Sequence, residues 1–262
     1  MKVIKQSAHI VTDWPKMNLY ERCEFAGRIS HASEDKIKGG SAEEFVRRMV
    51  EKKHESVFEF ARIVHNFYGM KYPVNLRKLR EIASSPVYPK DVFYGCIHNL
   101  SKHYPVFFEG LLKFVSDSND KWEMDNTWVP VLIVTNRAIS HQLVRYRKEV
   151  VYLQASQRYI KYSDVEFISP DVYFDLDDKM YRHWIESMER AEQDYFHALS
   201  EGYPAQAARL FLPNSAATKL IMYASPDTWR HVFEQRISDK ADPMIRELLE
   251  PLKEEFEKEN LL

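Results

Sequence analysis

The sequence predicts an α+β fold, in which strands and helices occur without regular alternation. Two segments rich in β-branched, aromatic or other apolar residues, Val57–Tyr68 and Trp128–Thr135, are typical of strands. The second is nearly all apolar, which predicts a buried strand. Several other segments repeat their apolar residues every three or four positions, as amphipathic helices do.

The N-terminal part is predicted to be helical before its first strand. Helices are expected over residues 19–33 and 41–53. In the second helix Ser41 is suited to cap the N-terminus, and Glu44 stands three positions later, as in a capping box.

Residues 70–127 separate the two predicted strands and are far longer than a normal connection. The pattern favours helices over 76–83 and 92–115, followed by a polar loop at 116–120. We interpret 70–127 as a helical insertion within a single domain that spans 1–262.

The C-terminal half is predicted to be mainly helical. Asn136 is suited to cap a short helix that continues to about Arg145, and a short strand follows at 165–168. Three further helices, each with one apolar stripe, are predicted to begin near Tyr181, Ser225 and Asp242.

Composition limits the classes of function. The chain has 262 residues, of which 45% are hydrophobic and 29% charged, as expected of a globular protein. A net charge of −2 argues against a general nucleic-acid binder. Cys23 and Cys96 are far apart and lack metal-ligand spacing, so a reducing compartment fits best. With neither a signal peptide nor a long apolar run, we expect a cytoplasmic protein without a membrane partner.

Three arginines and a serine lie within 14 positions, at Arg145, Arg147, Ser156 and Arg158. The fork of an arginine binds phosphate or carboxylate at two points. Gln142 and Arg145 share a polar helix face directly after a buried strand, where open sheets commonly bind ligands. The arrangement indicates an anion site, and a solvated basic helix end is an equal alternative.

Two further arginines stand among apolar residues. Arg236 shares the apolar stripe of Phe233, so it requires either a bound anion or a carboxylate such as Glu234 or Asp239. Arg209 requires a ligand or extends its guanidinium to solvent. Neither a glycine-rich phosphate loop nor a nucleophile elbow is present, so side chains and helix ends would have to hold a nucleotide.

Taken together, these motifs resemble the family of flavin-dependent thymidylate synthases. Arg145-Tyr146-Arg147 and Ser156-x-Arg158-Tyr159 resemble a signature that reads Arg-His-Arg, seven residues, then Ser-x-Arg-Tyr. Further matches in the family's order are Ala26–Ser30, His54–Glu59, Gln142, Arg209 in Arg-x-x-Leu-Pro, and Arg236 followed by Ala241. The resemblance covers most of the chain except 70–127 and implies a central antiparallel sheet flanked by helices.

The resemblance also implies an activity. The enzyme would methylate carbon 5 of dUMP to give dTMP. Methylenetetrahydrofolate would supply the carbon, and FAD reduced by NADPH would supply the hydride. A homotetramer with shared sites is implied. The alternatives are a related flavin-dependent methylase or hydroxymethylase acting on UMP or dUMP, and a noncatalytic nucleotide-binding relative.

The same resemblance assigns residues, and it implies no metal. FAD would contact Ser30, His54, Ser56, Glu59, Arg145, Tyr146, Arg147 and His231. The nucleotide would contact Gln142, Arg145, Gln154, Ser156, Arg158, Arg209 and Arg236. Arg236 would be catalytic, because a cation beside uracil stabilises an N3-ionised form and increases electron density at carbon 5.

The chain departs from the family's pattern at several points. Eight residues rather than seven separate Arg147 from Ser156. The substituted positions are Tyr146 for His, Gln154 for Glu, Ser225 for Asn and Asp227 for Arg. These departures bear on the flavin contacts and on the choice of nucleotide.

Overall fold

A computed structural model describes residues 1–67, 70–75 and 122–262, which divide into two compact units. The sheet unit comprises Met1–Val11, Ile29–Ala32 and Val129–Leu262, and the N-terminal unit comprises Thr12–Arg28 and Ser33–Trp128. The helices predicted at 76–83 and 92–115 and the loop at 116–120 lie outside the described residues. The single domain and its helical insertion therefore stay predictions.

The described strands and helices alternate irregularly along the chain. The strands are β1 (Lys2–Ile4), β2 (Ser7–Ile10), β3 (Arg62–Phe67), β4 (Met70–Asn75), β5 (Trp122–Met124), β6 (Val129–Asn136), β7 (Val150–Gln154), β8 (Glu166–Ile168) and β9 (Ala217–Ala224). The α-helices are α1 (Leu19–Ser30), α2 (Ser41–Glu51), α3 (Arg137–Leu143), α4 (Lys179–Ser200), α5 (Ala205–Ala208), α6 (Pro226–Arg236) and α7 (Pro243–Lys258). None of these helices is both long and apolar enough to span a membrane.

A four-stranded antiparallel sheet forms the centre of the sheet unit, in the order β2, β6, β9, β7. β6 and β9 pair along their whole lengths, from Val129 opposite Ala224 to Asn136 opposite Ala217. The apolar stripes of α6 and α7 pack in one core cluster with these strands, including Trp229. The predicted α+β class, with an antiparallel sheet flanked by helices, is confirmed.

Helix caps in the sheet unit agree with the sequence. Asn136 Oδ1 accepts the backbone N–H of Ile139 at 2.9 Å and starts α3 directly after β6. Ser225 Oγ accepts from the N–H of Thr228 at 3.2 Å. Asp242 Oδ1 accepts from the N–H of Met244 at 2.9 Å. Because each cap is a local interaction, residue type and position were sufficient to predict it.

Two predictions in the N-terminal unit are wrong. The strand expected from Val57 begins only at Arg62, because Glu55–Phe60 forms a 3-10 helix that buries its aromatic side chains. Gly40, at a φ of 78°, occupies the N-cap position of α2 in place of Ser41. A left-handed residue without a side chain is tolerated there at little steric cost. The hydroxyl of Ser41 instead donates to Glu24 at 2.8 Å.

Candidate active site

A cavity of about 600 Å³ opens in the sheet unit between α6 and the segment Arg145–Glu149, here called the arginine loop. From α6 its walls include His231, Gln235 and Arg236. The volume falls in the range of small-molecule and cofactor sites. Five residues predicted from sequence thus meet around one cavity: Arg145, Tyr146, Arg147, His231 and Arg236.

The arginine loop is attached to the first turn of α6. Thr228 Oγ1 donates to the carbonyl of Lys148 at 2.8 Å. Ser225 Oγ donates to the Glu149 carboxylate at 2.8 Å, and the Ser225 N–H donates to the Glu149 carbonyl at 3.0 Å. Glu149 has a φ of 50°, a left-handed conformation that turns the chain into β7. This turn lies in the interval where the chain has one residue more than the family's signature.

The cavity has an excess of uncompensated positive charge. Arg145, Arg147 and Lys148 are exposed, and Arg236 is half-buried. Among the described residues, none of these four cations has a carboxylate within 4 Å. The two acids in the wall are engaged elsewhere: Glu149 by the α6 cap, and Asp227 in an ion pair with Arg230. Such a wall suits a ligand that carries phosphate.

Arg236 is held by neutral acceptors. Its Nε donates to Tyr146 Oη at 3.1 Å, and its Nη1 donates to Gln142 Oε1 at 3.2 Å. The rings of His231 and Tyr146 pack nearly perpendicular to each other, with 5.7 Å between their centroids. The alternative of an ion pair with Glu234 or Asp239 is wrong, since Asp239 pairs with Arg246. The charge of Arg236 is therefore not compensated by any carboxylate of the described residues.

A second group of cations centres on Arg137, which the sequence did not indicate as a site residue. Its Nη2 donates to the Ala155 carbonyl at 3.0 Å, and its buried Nε has no acceptor among the described residues. Burial lowers the pKa of this guanidinium, and the nearby Arg209 lowers it further, although Tyr162 opposes the shift. Ala155 and Tyr162 also wall a second cavity of about 380 Å³.

One local signal was available for Arg137. It stands in the first turn of α3, where the helix dipole disfavours a cation. A cation in that position, directly after a buried strand, needs an anion to stabilise it.

The predicted residues around 156 lie in a turn that follows β7, apart from the first cavity's walls. The N–H of Ser156 donates to the Ser30 carbonyl at 3.1 Å, which brings these two predicted residues together. Arg158 is exposed, with its guanidinium carbon 5.2 Å from the Tyr159 ring centroid. Tyr159 in turn stacks on His31 at 6.5 Å.

Gln154 lies on β7, where its amide donates to Ser140 Oγ at 2.9 Å and to Thr218 Oγ1 at 3.2 Å. These contacts hold it against β9 and α3. In the N-terminal unit, His54 precedes the 3-10 helix Glu55–Phe60, in which Ser56 is exposed and Glu59 half-buried. The roles of these residues stay predictions.

The fold and the cavity together define a class of protein: an α+β protein with an antiparallel sheet and a cation-walled cavity. The family model described as thymidylate synthase complementing protein matches residues 125–260, which is over half of the chain. The chain belongs to this family, and the resemblance inferred from its motifs is confirmed. The match contains the arginine loop, α6 and Arg137.

Curated proteins that are similar to this chain support the same family assignment. The flavin-dependent thymidylate synthase of Geobacter sulfurreducens is 37% identical over 116 residues, or 43% of this chain and 49% of that protein. The Pyrococcus abyssi enzyme of the same name is 32% identical over 127 residues, 47% and 51% of the two chains. The Mycobacterium tuberculosis enzyme is 30% identical over 173 residues, 59% and 68%. The chain thus spans about half the length of the first two relatives.

A solved structure that matches nearly the whole chain is the UMP/dUMP methylase PolB from Streptomyces cacaoi, bound with 5-Br dUMP. It covers 98% of this chain and 93% of its own, at 15% identity and a TM-score of 0.48.

Proposed function

We propose that this protein is an FAD-dependent enzyme that methylates dUMP to dTMP. Methylenetetrahydrofolate is the carbon donor and NADPH the reductant, and the enzyme acts as a cytoplasmic homotetramer. The observation that carries the proposal is the cavity between the arginine loop and α6. Its cations have no carboxylate partner among the described residues, and it lies within the segment that the family model matches.

The residues of this cavity fit a flavin dinucleotide. Arg145, Arg147 and Lys148 supply charge for a pyrophosphate, and the aromatic pair of Tyr146 and His231 supplies a surface for a ring. When bound, the flavin supplies the redox chemistry, so no protein thiol is required. Cys23 is buried, and burial raises the pKa of its thiol, which makes it unsuited as a nucleophile.

The nucleotide is proposed to bind next to this cofactor, with its phosphate on Arg158, Arg209 and Arg137. A phosphate monoester is a dianion at neutral pH, and several guanidinium groups can neutralise it. Support comes from the buried Nε of Arg137, which has no acceptor among the described residues, from the repulsion by Arg209 that helps to lower its pKa, and from its hydrogen bond to Ala155, which directly precedes the Ser156–Tyr159 turn. Arg236 stabilises the N3-ionised uracil, and Gln142 holds Arg236.

The test combines a spectrum with a turnover assay. Purified protein is expected to show flavin absorbance bands, or to acquire them with added FAD, and to form dTMP from dUMP with methylenetetrahydrofolate and NADPH. Turnover of UMP, assayed in parallel, distinguishes the proposed dUMP methylation from the alternative of a related UMP methylase. A protein that neither binds flavin nor forms a methylated nucleotide would contradict the proposal. Strongly salt-dependent oligonucleotide binding without turnover would favour the noncatalytic relative.

Arg158→Ala is expected to weaken dUMP binding about tenfold or more, since hydrogen bonds to a charged group are lost. Flavin content should stay unchanged, because Arg158 does not line the flavin cavity. Calorimetric titration with dUMP and the flavin-to-protein absorbance ratio measure the two effects. Arg190→Ala, an exposed arginine on α4, is the matched control. A parallel loss of flavin would contradict the separation of the two sites.

Arg137→Met is expected to have opposite effects on stability and on binding. Removing a partly desolvated cation whose Nε has no acceptor among the described residues should raise the melting temperature slightly. The same change should weaken dUMP binding about tenfold, because a phosphate partner is lost. Thermal denaturation measures the stability and titration measures the binding of dUMP, with Arg190→Met as the control for both. A lower melting temperature would show that Arg137 is a structural cation.

A further inference from the structure

We infer that Asp242 is a positioning residue for Arg236, acting through the side-chain amide of Gln142. The inference rests on the proposed function, since it concerns the cation that activates the nucleotide. Asp242 also caps α7, so its carboxylate combines a structural task with this second one.

The carboxylate of Asp242 is surrounded by donors. Its Oδ1 accepts from Tyr173 Oη at 2.6 Å and from the N–H of Met244 at 2.9 Å. Its Oδ2 accepts from Gln142 Nε2 at 3.1 Å. The pKa of Tyr173 is raised to about 12 by desolvation and then by Asp242, so its hydroxyl remains a donor at neutral pH. Asp242 is thereby held in one orientation by two neighbours other than Gln142.

This arrangement determines which way the Gln142 amide faces. A carboxylate only accepts hydrogen bonds, so the NH2 group of Gln142 must face Asp242. The carbonyl oxygen then faces Arg236 and accepts a hydrogen bond from its Nη1 at 3.2 Å. Arg236 is a pure donor, so a reversed amide would set NH2 against the guanidinium. Asp242 therefore selects the only amide orientation that holds Arg236.

The chain of hydrogen bonds from Asp242 through Gln142 to Arg236, here called the relay, leaves Arg236 fixed but not neutralised. Its two acceptors, Gln142 Oε1 and Tyr146 Oη, are uncharged, and the nearest carboxylate of the relay is one amide away. A guanidinium held in this way retains its charge for developing negative charge on a nucleotide ring, and it needs little rearrangement as that charge forms. Loss of the relay should therefore affect turnover more than binding.

The first experiment uses Asp242→Asn, which is nearly isosteric and still caps a helix well. Its Oδ1 can serve Tyr173 and Met244, but its NH2 then faces Gln142 and reverses that amide. We expect kcat with dUMP to fall about tenfold or more while the Kd for dUMP changes less than about threefold. Asp178→Asn, the same change at the cap of α4, is the matched control and should leave both unchanged.

The second experiment tests whether the effect passes through Arg236. In an Arg236→Ala background, Asp242→Asn should lower kcat no further, because the two residues act as one unit. Equal reductions in both backgrounds would overturn the inference, as would an unchanged kcat in Asp242→Asn alone.

A third measurement does not depend on activity. Gln142→Glu gives Arg236 an ion partner but places two carboxylates together, and Asp242→Asn reverses the amide, so each change alone should lose stability at the contact between residues 142 and 242. In the double variant residue 142 is an acceptor that faces a donor on each side. Its loss of melting temperature should therefore be smaller than the sum of the losses in the two single variants. Additive losses would overturn the relay, whereas a failure of the proposed function would leave this coupling intact and abolish dUMP turnover in the unaltered protein.

Discussion

Arg236→Ala is expected to lower the turnover of dUMP by about 100-fold or more while weakening nucleotide binding by less than about tenfold. The guanidinium is half-buried, has no carboxylate partner among the described residues, and is held by Tyr146 and Gln142. In the proposed reaction it would therefore be preorganised to stabilise negative charge on uracil. Its loss removes an interaction that is strongest in the transition state, not in the bound ground state.

The measurement is kcat together with the Kd for dUMP from titration. Arg236→Lys is the graded variant: it keeps the charge but loses the fork that bonds Tyr146 and Gln142 at once, so its turnover should lie between those of the Ala variant and the unaltered protein. The melting temperature provides the control for folding, because Arg236 itself lines the cavity proposed for the flavin. Equal losses in kcat and in binding would contradict an activating role and would indicate that Arg236 only binds the nucleotide.

Trp229→Ala is expected to destabilise the protein by about 3–5 kcal/mol, the usual cost of removing a fully buried large aromatic side chain. Trp229 is 0% exposed, and its ring packs on Phe233 at 5.8 Å and on Phe256 at 5.3 Å. Its Nε1 also donates to the Val129 carbonyl at 3.1 Å, which ties α6 to the start of β6. Because α6 carries His231 and Arg236, flavin binding should weaken with the loss of stability.

Thermal denaturation should show the melting temperature of Trp229→Ala lowered by about 10 °C. Tyr203→Ala is the control, because that side chain is 60% exposed and its removal should change stability by less than about 0.5 kcal/mol. A melting temperature within about 3 °C of the unaltered protein would show that the α6 interface does not depend on Trp229.

Three of the four strands of the central sheet, β2, β7 and β9, were not predicted from the sequence. β6 was predicted because its run of apolar residues is bounded by turn and capping residues. Its neighbour β9 was not, although β9 pairs with β6 over all eight of its residues. The segment Ala-Thr-Lys-Leu-Ile-Met-Tyr-Ala mixes helix-forming and strand-forming residues, so its periodicity does not separate the two. Pairing with β6 makes this segment a strand.

The candidate site was predicted in part. The signature residues Arg145 and Arg147, together with Arg236, were identified by type and order, and they meet at one cavity. Arg137 was missed because the burial of its Nε, which has no acceptor in the described part of the chain, is a property of packing. Arg158 was predicted beside the other arginines, but it lies in a separate turn outside the first cavity's walls.

The sequence by itself determined the local features: the caps at Asn136, Ser225 and Asp242, the apolar stripes of α6 and α7, and the motif that resembles the family. These depend on residues within a few positions of one another, so type and spacing suffice. Tertiary structure alone decided that Asp242 reaches Gln142 and that Ser225 holds Glu149, contacts that join residues 100 and 76 positions apart. No periodicity encodes such contacts, because they arise only when the sheet brings distant segments together.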